Sequence, residues 1–361
     1  MILSNSPLMY LLKFNFIAPN FTINSHGLQD VLIIKPPKKS LVVLRLIVLV
    51  FSMVFGIYIC SICSKQINIQ TNNTFLDIQE IQRPCYHSLV DRSQIPFLHY
   101  PNPKTFNRLE CAGNPVRLFA ILSMQRSGSG WFETLLNSHI NVSSNGEIFG
   151  SKIRRNNISA IIKTLDRVYN LDWFTSSSKN ECSAAIGFKW MLNQGLMEHP
   201  KEIVDYFNDN GVSVIFLLRR NVLRRLVSML ANSYDKDAKV LNGVHVSHVH
   251  SREEASKLST YRPTINITSL TLDLRDMETT AMKALEYFNS TRHMILYYED
   301  LIKNSSKLIE VQDFLKLPHM KLTSRQVKIH KGSLSEHIKN WNDVNSTLYG
   351  TTYQKLLQAD Y

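Results

Sequence analysis

An apolar run of strand length, VRLFAILSM (116–124), passes without a break into Gln125-Arg126-Ser127-Gly128-Ser129-Gly130-Trp131 and then into WFETLLNSH. In that last segment Phe132, Leu135, Leu136 and His139 recur at helical spacing. A strand, a glycine-rich turn and a helix in immediate succession is the arrangement by which a doubly wound sheet cradles phosphate. The glycines let successive N–H groups face inward, and the helix N-terminus adds partial positive charge. Ser127 and Ser129 add hydroxyl donors and Arg126 a full charge. A nucleotide triphosphatase fails on detail: its loop needs GxxxxGK[ST], and Trp131 and Phe132 stand where that Lys-Ser/Thr would be.

Further strands are expected at AAIGFKWM (184–191), VSVIFLL (212–218) and HMILYY (293–298), with helical patterns in EIVDYFND, NVLRRLVSMLANSY and METTAMKALEYF. Alternation of buried strands and helices predicts an α/β fold, a doubly wound and mostly parallel sheet with helices on both faces. The polar, His-rich stretch 235–275 reads as an insertion over the site. A second cationic element is LLRRNVLRRLVSML: a strand ending in Arg219 and Arg220, then a helix that carries Ser228 eight residues after Arg220. An Arg at a strand's carboxyl end and a Ser two turns into the next helix suit a second phosphate. Lys189, in GFKWM, is a cation within an otherwise buried strand, which is costly unless an anion faces it.

The paired motifs, strand–[RK]SGxxW–helix followed by LRRNxxxRxxSML, resemble those of sulfotransferases that use 3′-phosphoadenosine 5′-phosphosulfate (PAPS). SMQRSGSGWFETLLNSHINVSSNGEIFG is similar to the plant membrane-anchored members related to nodulation-factor-type sulfotransferases. The resemblance runs from about Pro115 to the C-terminus and implies a P-loop sulfotransferase-like fold. It implies that Arg126, Ser127, Gly128, Ser129, Gly130 and Trp131 hold the 5′-phosphosulfate, and that Arg220 and Ser228 hold the 3′-phosphate. It also implies that Lys331, with Gly332, folds over the 3′-phosphate as a C-terminal lid. Glu147 matches the Glu after the first helix that serves as base in such enzymes, taking the acceptor proton as the O–S bond forms. Lys189 would point at the sulfonate or the bridging oxygen. The cytosolic members have Lys-Ser-Gly-Thr-Thr-Trp, so Arg126 replaces a Lys and Gly130 lacks the second Thr hydroxyl.

The N-terminal region obeys a different rule. Residues 41–63 are nearly all uncharged and apolar, and at ~1.5 Å per residue they span about 34 Å, enough to cross a bilayer as a signal anchor. Lys35, Lys38, Lys39 and Arg45 crowd its N-terminal side against Lys65 on the other, which predicts a cytosolic tail (1–40), a luminal stem (64–112) and a luminal catalytic domain (113–361). The expectation is a single-pass type II Golgi membrane glycoprotein. Acceptor triplets beyond the anchor begin at Asn72, Asn141, Asn157, Asn266, Asn289, Asn304 and Asn345. Cys85, Cys111 and Cys182 permit one luminal disulfide, with the pairing open.

The net charge of +12 favours an anionic ligand or acidic polymer. The expected partners are the nucleotide sulfate donor and a hydroxyl acceptor, foremost a glycan, with no nucleic acid. No metal is required, because Arg and Lys supply the cations, and His245, His248 and His250 have no complementary ligands at suitable spacing. Two other functions share this topology. Asp235 and Asp237 form the DxD of a type II glycosyltransferase, and a catalytically silent nucleotide- or glycan-binding protein would keep the same fold.

Overall fold

The computed structural model describes residues 46–59, 61, 91–175, 178 and 182–358. Residues 46–59 are helical with exposed side chains, and they belong to a unit separate from the body that carries the sheet. Among the described residues no helix is long and apolar enough to cross a membrane. The rest of the expected anchor 41–63, the tail 1–40 and the stem up to residue 90, with Asn72 and Cys85, lie outside the described residues.

In the larger body the strands are β1 (Arg117–Ser123), β2 (Val142–Ser144), β3 (Ala185–Met191), β4 (Ser213–Leu218) and β5 (His293–Tyr297). They form one parallel sheet in the order β2-β3-β1-β4-β5. β1 sits between β3 and β4, with Ile121 opposite Lys189 on one side and Ile215 on the other. From β1 the chain passes to the edge strand β2, returns to β3 beside β1, and then crosses to β4 and outward to β5 on the other side. The loops after β1 and β4 flank the crevice where such a reversal leaves room for a ligand.

The apolar runs are buried because both faces of the sheet are covered. Helix α1 (Ser129–Asn137) lies against Phe119 and Ile121 through Phe132, Leu135 and Leu136. On the opposite face Leu118, Ala120 and Leu122 pack with α2 (Ile158–Tyr169) and α3 (Pro200–Asp209). This is the period-two alternation of a strand with two apolar faces. Helix α4 (Val222–Ala238) follows β4 and shares a third core with the later α6 (Ile267–Tyr287) and the C-terminal segment around Leu334, Ile338 and Val344.

Two expectations change here. The stretch 235–275 is not all insertion: α4 runs on to Ala238, a short α5 (Arg252–Ser259) is capped by Ser251 and Glu254, and the 21-residue α6 begins at Ile267. The stretch 91–112, expected as stem, packs on the body. His99 pairs with Val116, and Asp172 accepts from the Lys104 and Thr105 amides at 2.7 and 3.1 Å. A disulfide joins Cys111 to Cys182, closing the choice the sequence left open.

Candidate active site

The Ser123 hydroxyl donates to the Leu217 carbonyl at 2.7 Å, fixing the carboxyl end of β1 against β4. The chain then turns sharply, with Arg126 (φ 65°) and Gly128 (φ 88°) left-handed. Gly128 caps α1, and the first helical bond to reach back, Phe132 N–H to Gly128 O at 3.0 Å, leaves the amides of the opening turn directed into the loop. A Cβ at Gly128 would collide with the Tyr298 ring, and one at Gly130 with the imidazole of His248. The Ser127 hydroxyl is buried with no hydrogen-bond partner. A curled loop with spare N–H groups and an orphaned hydroxyl fits a phosphate or sulfate oxygen.

Cations ring this loop. Arg126 donates through Nε to Ser228 Oγ at 2.9 Å, and through Nη1 to the Ser247 carbonyl at 2.9 Å and Asn232 Oδ1 at 3.3 Å. Burial, and then the charge of Arg219, pushes its guanidinium down to about 10, so it stays cationic at neutral pH. Arg219 donates to the Arg126 carbonyl at 3.1 Å and lies over the Tyr298 ring. Arg225 holds the Gln125 carbonyl at 2.8 Å while its Nη1 is buried without a hydrogen-bond partner. Together these elements enclose a cleft of about 410 Å³. Arg126, Arg219, Arg224 and Ser228 form one wall, and Lys328 and His330 of the C-terminal segment another. Burial, then the charges of Lys189, Arg126 and His250, pushes His248 down to about 4. Burial, then His337 and the nearby arginines, pushes His330 to about 3. Both imidazoles are neutral near pH 7.

Two expected ligands point elsewhere. Arg220 is not in the cleft: it forms a two-pronged pair with Asp300 at 2.5 and 2.8 Å and stacks over Tyr297. The reason is alternation at the end of an extended strand, which sends Arg219 and Arg220 to opposite sides. The short α7 (Tyr298–Lys303) then supplies Asp300 to Arg220, and Glu299 to the Arg220 amide. Lys331 is likewise exposed. Its carbonyl accepts from His337, and Lys328 and His330 are the neighbours that reach the cleft.

Glu147 and Lys189 lie beside the cleft rather than on its wall. Lys189 Nζ is 3.6 Å from Glu147 and 3.5 Å from Glu133 of α1. Glu147 also accepts from the Gln194 amide. Lys189 therefore meets two carboxylates, which answers the question its burial raised. Glu133 was not singled out from the sequence. Buried on an otherwise apolar helix face, it accepts from Ser144 Oγ at 2.7 Å and from the Gly146 amide at 2.9 Å, and so secures the turn that presents Glu147. His139, just past the end of α1, is buried, with Nε2 on the Pro318 carbonyl and Nδ1 accepting from the Asn141 amide.

The DxD pair separates. Asp235 is buried, pairs with His245 at 2.6 Å and accepts from the Val240 and Val246 amides, whereas Asp237 is exposed. Among the described residues no group of three or more His, Cys, Asp or Glu side chains could hold a metal ion.

Residues 118–356 match the family model described as "Sulfotransferase domain". Nodulation protein H of Rhizobium meliloti is 22% identical over 251 residues, 68% of this chain and 96% of that protein. Nodulation protein H of Rhizobium tropici is 24% identical over 246 residues, 67% of this chain and 93% of that protein. Solved structures match more loosely. The sulfotransferase domain from the curacin biosynthetic pathway gives a TM-score of 0.32 at 17% identity, covering 68% of this chain and 90% of its own. Mouse sulfotransferase SULT7A1 complexed with PAP gives 0.32 at 14%, covering 56% of this chain and 60% of its own.

Proposed function

The chain belongs to the sulfotransferase domain family and is a sulfotransferase; from that premise we propose that it moves a sulfuryl group from PAPS to a hydroxyl of a glycan. The observation that carries the donor is the loop 126–131, with its orphaned Ser127 hydroxyl, its glycines packed too closely for any side chain and the cations around them. The 5′-phosphosulfate sits on this loop and the opening amides of α1. The 3′-phosphate takes Ser228, Arg219 and Lys328, in place of the expected Arg220 and Lys331.

Glu147 takes the acceptor's proton as the acceptor oxygen bonds to sulfur. The bond from sulfur to the 5′-phosphate oxygen breaks, and the bisphosphate leaves with its charge held by the loop amides and Arg126. Lys189, fixed by Glu133, orients the Glu147 carboxylate. We place the catalytic body in the lumen of the secretory pathway, anchored in the Golgi membrane through 41–63. The Cys111–Cys182 disulfide supports this, because such bonds persist in oxidising compartments.

The test is transfer of radiolabelled sulfate from PAPS to a panel of glycans by the full-length protein, with and without EDTA. Transfer that survives EDTA is expected. Transfer from a sugar nucleotide that EDTA abolishes, or tight binding of 3′,5′-bisphosphoadenosine with no transfer to any hydroxyl, would overturn the reading.

A further inference from the structure

Beside Glu147 lies a cationic surface that the donor site does not use. Residues 148–175 carry five Lys or Arg against two Asp. Both aspartates are committed elsewhere: Asp172 receives the Lys104 and Thr105 amides, and Asp166 the Tyr206 hydroxyl. Among the described residues Lys152, Arg154, Arg155 and Arg167 have no carboxylate partner. Arg154 and Arg155 spend their bonds on carbonyls, those of Ile148 and Asn193, at 2.8 and 3.0 Å. The Arg155 Nε is buried with no acceptor at all. Arg154 and Arg167 both lie against the half-buried Trp173 ring, 4.8 and 5.3 Å from its centre.

This surface is built into the catalytic turn. Gln194 holds Glu147, and its neighbours border Arg155: Asn193 through its carbonyl, and Gly195 by lacking a side chain, since a Cβ there would come within 3.2 Å of the Arg155 Cβ. On the other flank Thr175 donates to Asn145 Oδ1 at 2.9 Å, tying the Trp173 segment to the turn Asn145-Gly146-Glu147. The cations thus border the turn that carries Glu147. Phe174 and Ile153, 59% and 81% exposed, add apolar surface among them.

Resting on the sulfotransferase reading, we propose that the acceptor is an acidic oligosaccharide, whose carboxylate or sulfate groups are bound by Lys152, Arg154, Arg155 and Arg167 while a neighbouring hydroxyl meets Glu147. Guanidinium forks match carboxylate and sulfate oxygens, and the apolar side chains between them suit the C–H face of a pyranose ring. A neutral oligosaccharide would leave four cations desolvated against it without a counter-charge.

The experiment compares two oligosaccharides of equal length, one neutral and one containing uronates, as acceptors for the full-length protein. An acidic peptide carrying a tyrosine serves as a third acceptor. The uronate chain should be preferred in kcat/KM by about tenfold or more, with the preference shrinking as salt rises. The double substitution Lys152→Glu with Arg167→Glu, both at exposed positions, should raise KM for the uronate chain by about tenfold. Its affinity for 3′,5′-bisphosphoadenosine, measured by calorimetry, should be unchanged. Equal turnover of the neutral chain, preference for the peptide, or an unmoved KM in the double variant would overturn the acidic-glycan inference while leaving the sulfotransferase reading in place. Failure to bind the bisphosphate and to transfer sulfate to anything would remove both.

Discussion

Arg126 of the phosphate loop donates directly to Ser228 of α4, Nε to Oγ at 2.9 Å. The two groups expected to serve opposite ends of the donor are thus joined before any ligand arrives. A bound nucleotide must share or replace that contact, so its two phosphate sites are coupled. Arg126→Ala should weaken 3′,5′-bisphosphoadenosine by about 1.5–3 kcal/mol, the usual worth of a hydrogen bond to a charged group. Adding Ser228→Ala should cost less than it does alone, which calorimetry on the double-mutant cycle would show.

Adjacent arginines at the end of β4 should behave oppositely. Arg219→Ala should weaken the bisphosphate at least tenfold, because Arg219 lines the cleft. Arg220→Ala should leave affinity within about threefold and lower stability by no more than ~1 kcal/mol, since its pair with Asp300 is largely solvent-exposed. Binding isotherms and thermal melts on the two variants separate the roles.

Glu147→Gln keeps the shape of the side chain but cannot take a proton. Turnover should fall by about 10²–10⁴-fold while bisphosphate affinity stays level. Glu133→Gln acts through position instead. Losing one partner of Lys189 and loosening the Gly146 turn should lower kcat while KM for the donor stays level and the melting temperature barely moves, a split that a merely structural Glu would not give.

Acid should destabilise the empty protein early. His248 and His330 are held below the ordinary imidazole value, so the unfolded chain binds more protons than the fold once pH drops below ~6.5. Their contribution is complete above that pH and is lost progressively as pH falls toward 4. Anionic nucleotide in the cleft should raise both values, so binding near pH 5.5 should take up protons and tighten relative to pH 7.5. Calorimetry in buffers of different ionisation enthalpy reads the uptake directly.

The central strands were legible because their apolar runs are continuous and bounded by turn residues. The three-residue β2 was not, since VSS carries too little pattern to distinguish from a loop. Helix α2 was missed although Ile158, Ile161, Ile162, Leu165 and Val168 hold helical spacing, and that signal was available. At the site, the turn between β1 and α1 was readable because backbone chemistry demands glycine and a following helix there, whereas Glu147 was singled out through the resemblance. Which of Arg219 and Arg220 faces the ligand was not readable. The answer depends on Asp300, eighty residues away and adjacent only once β5 pairs with β4. Glu133 was hidden for the same reason, because its partners come from β2 and β3.

Reducing the Cys111–Cys182 bond should lower stability by about 4 kcal/mol on the chain-entropy account of a 71-residue closure, seen as a lower melting temperature in reductant.

The same bond makes a closed ring of residues 111–182. The phosphate loop, Glu133, Glu147 and the cations from Lys152 to Arg167 all lie inside it, while Ser228, Lys189 and the C-terminal wall lie outside. A single backbone nick within the ring beyond β1 leaves both pieces covalently attached. A clipped preparation would keep its full mass on a non-reducing gel, and only reduction would part the half bearing β4 and α4 from the half bearing β1.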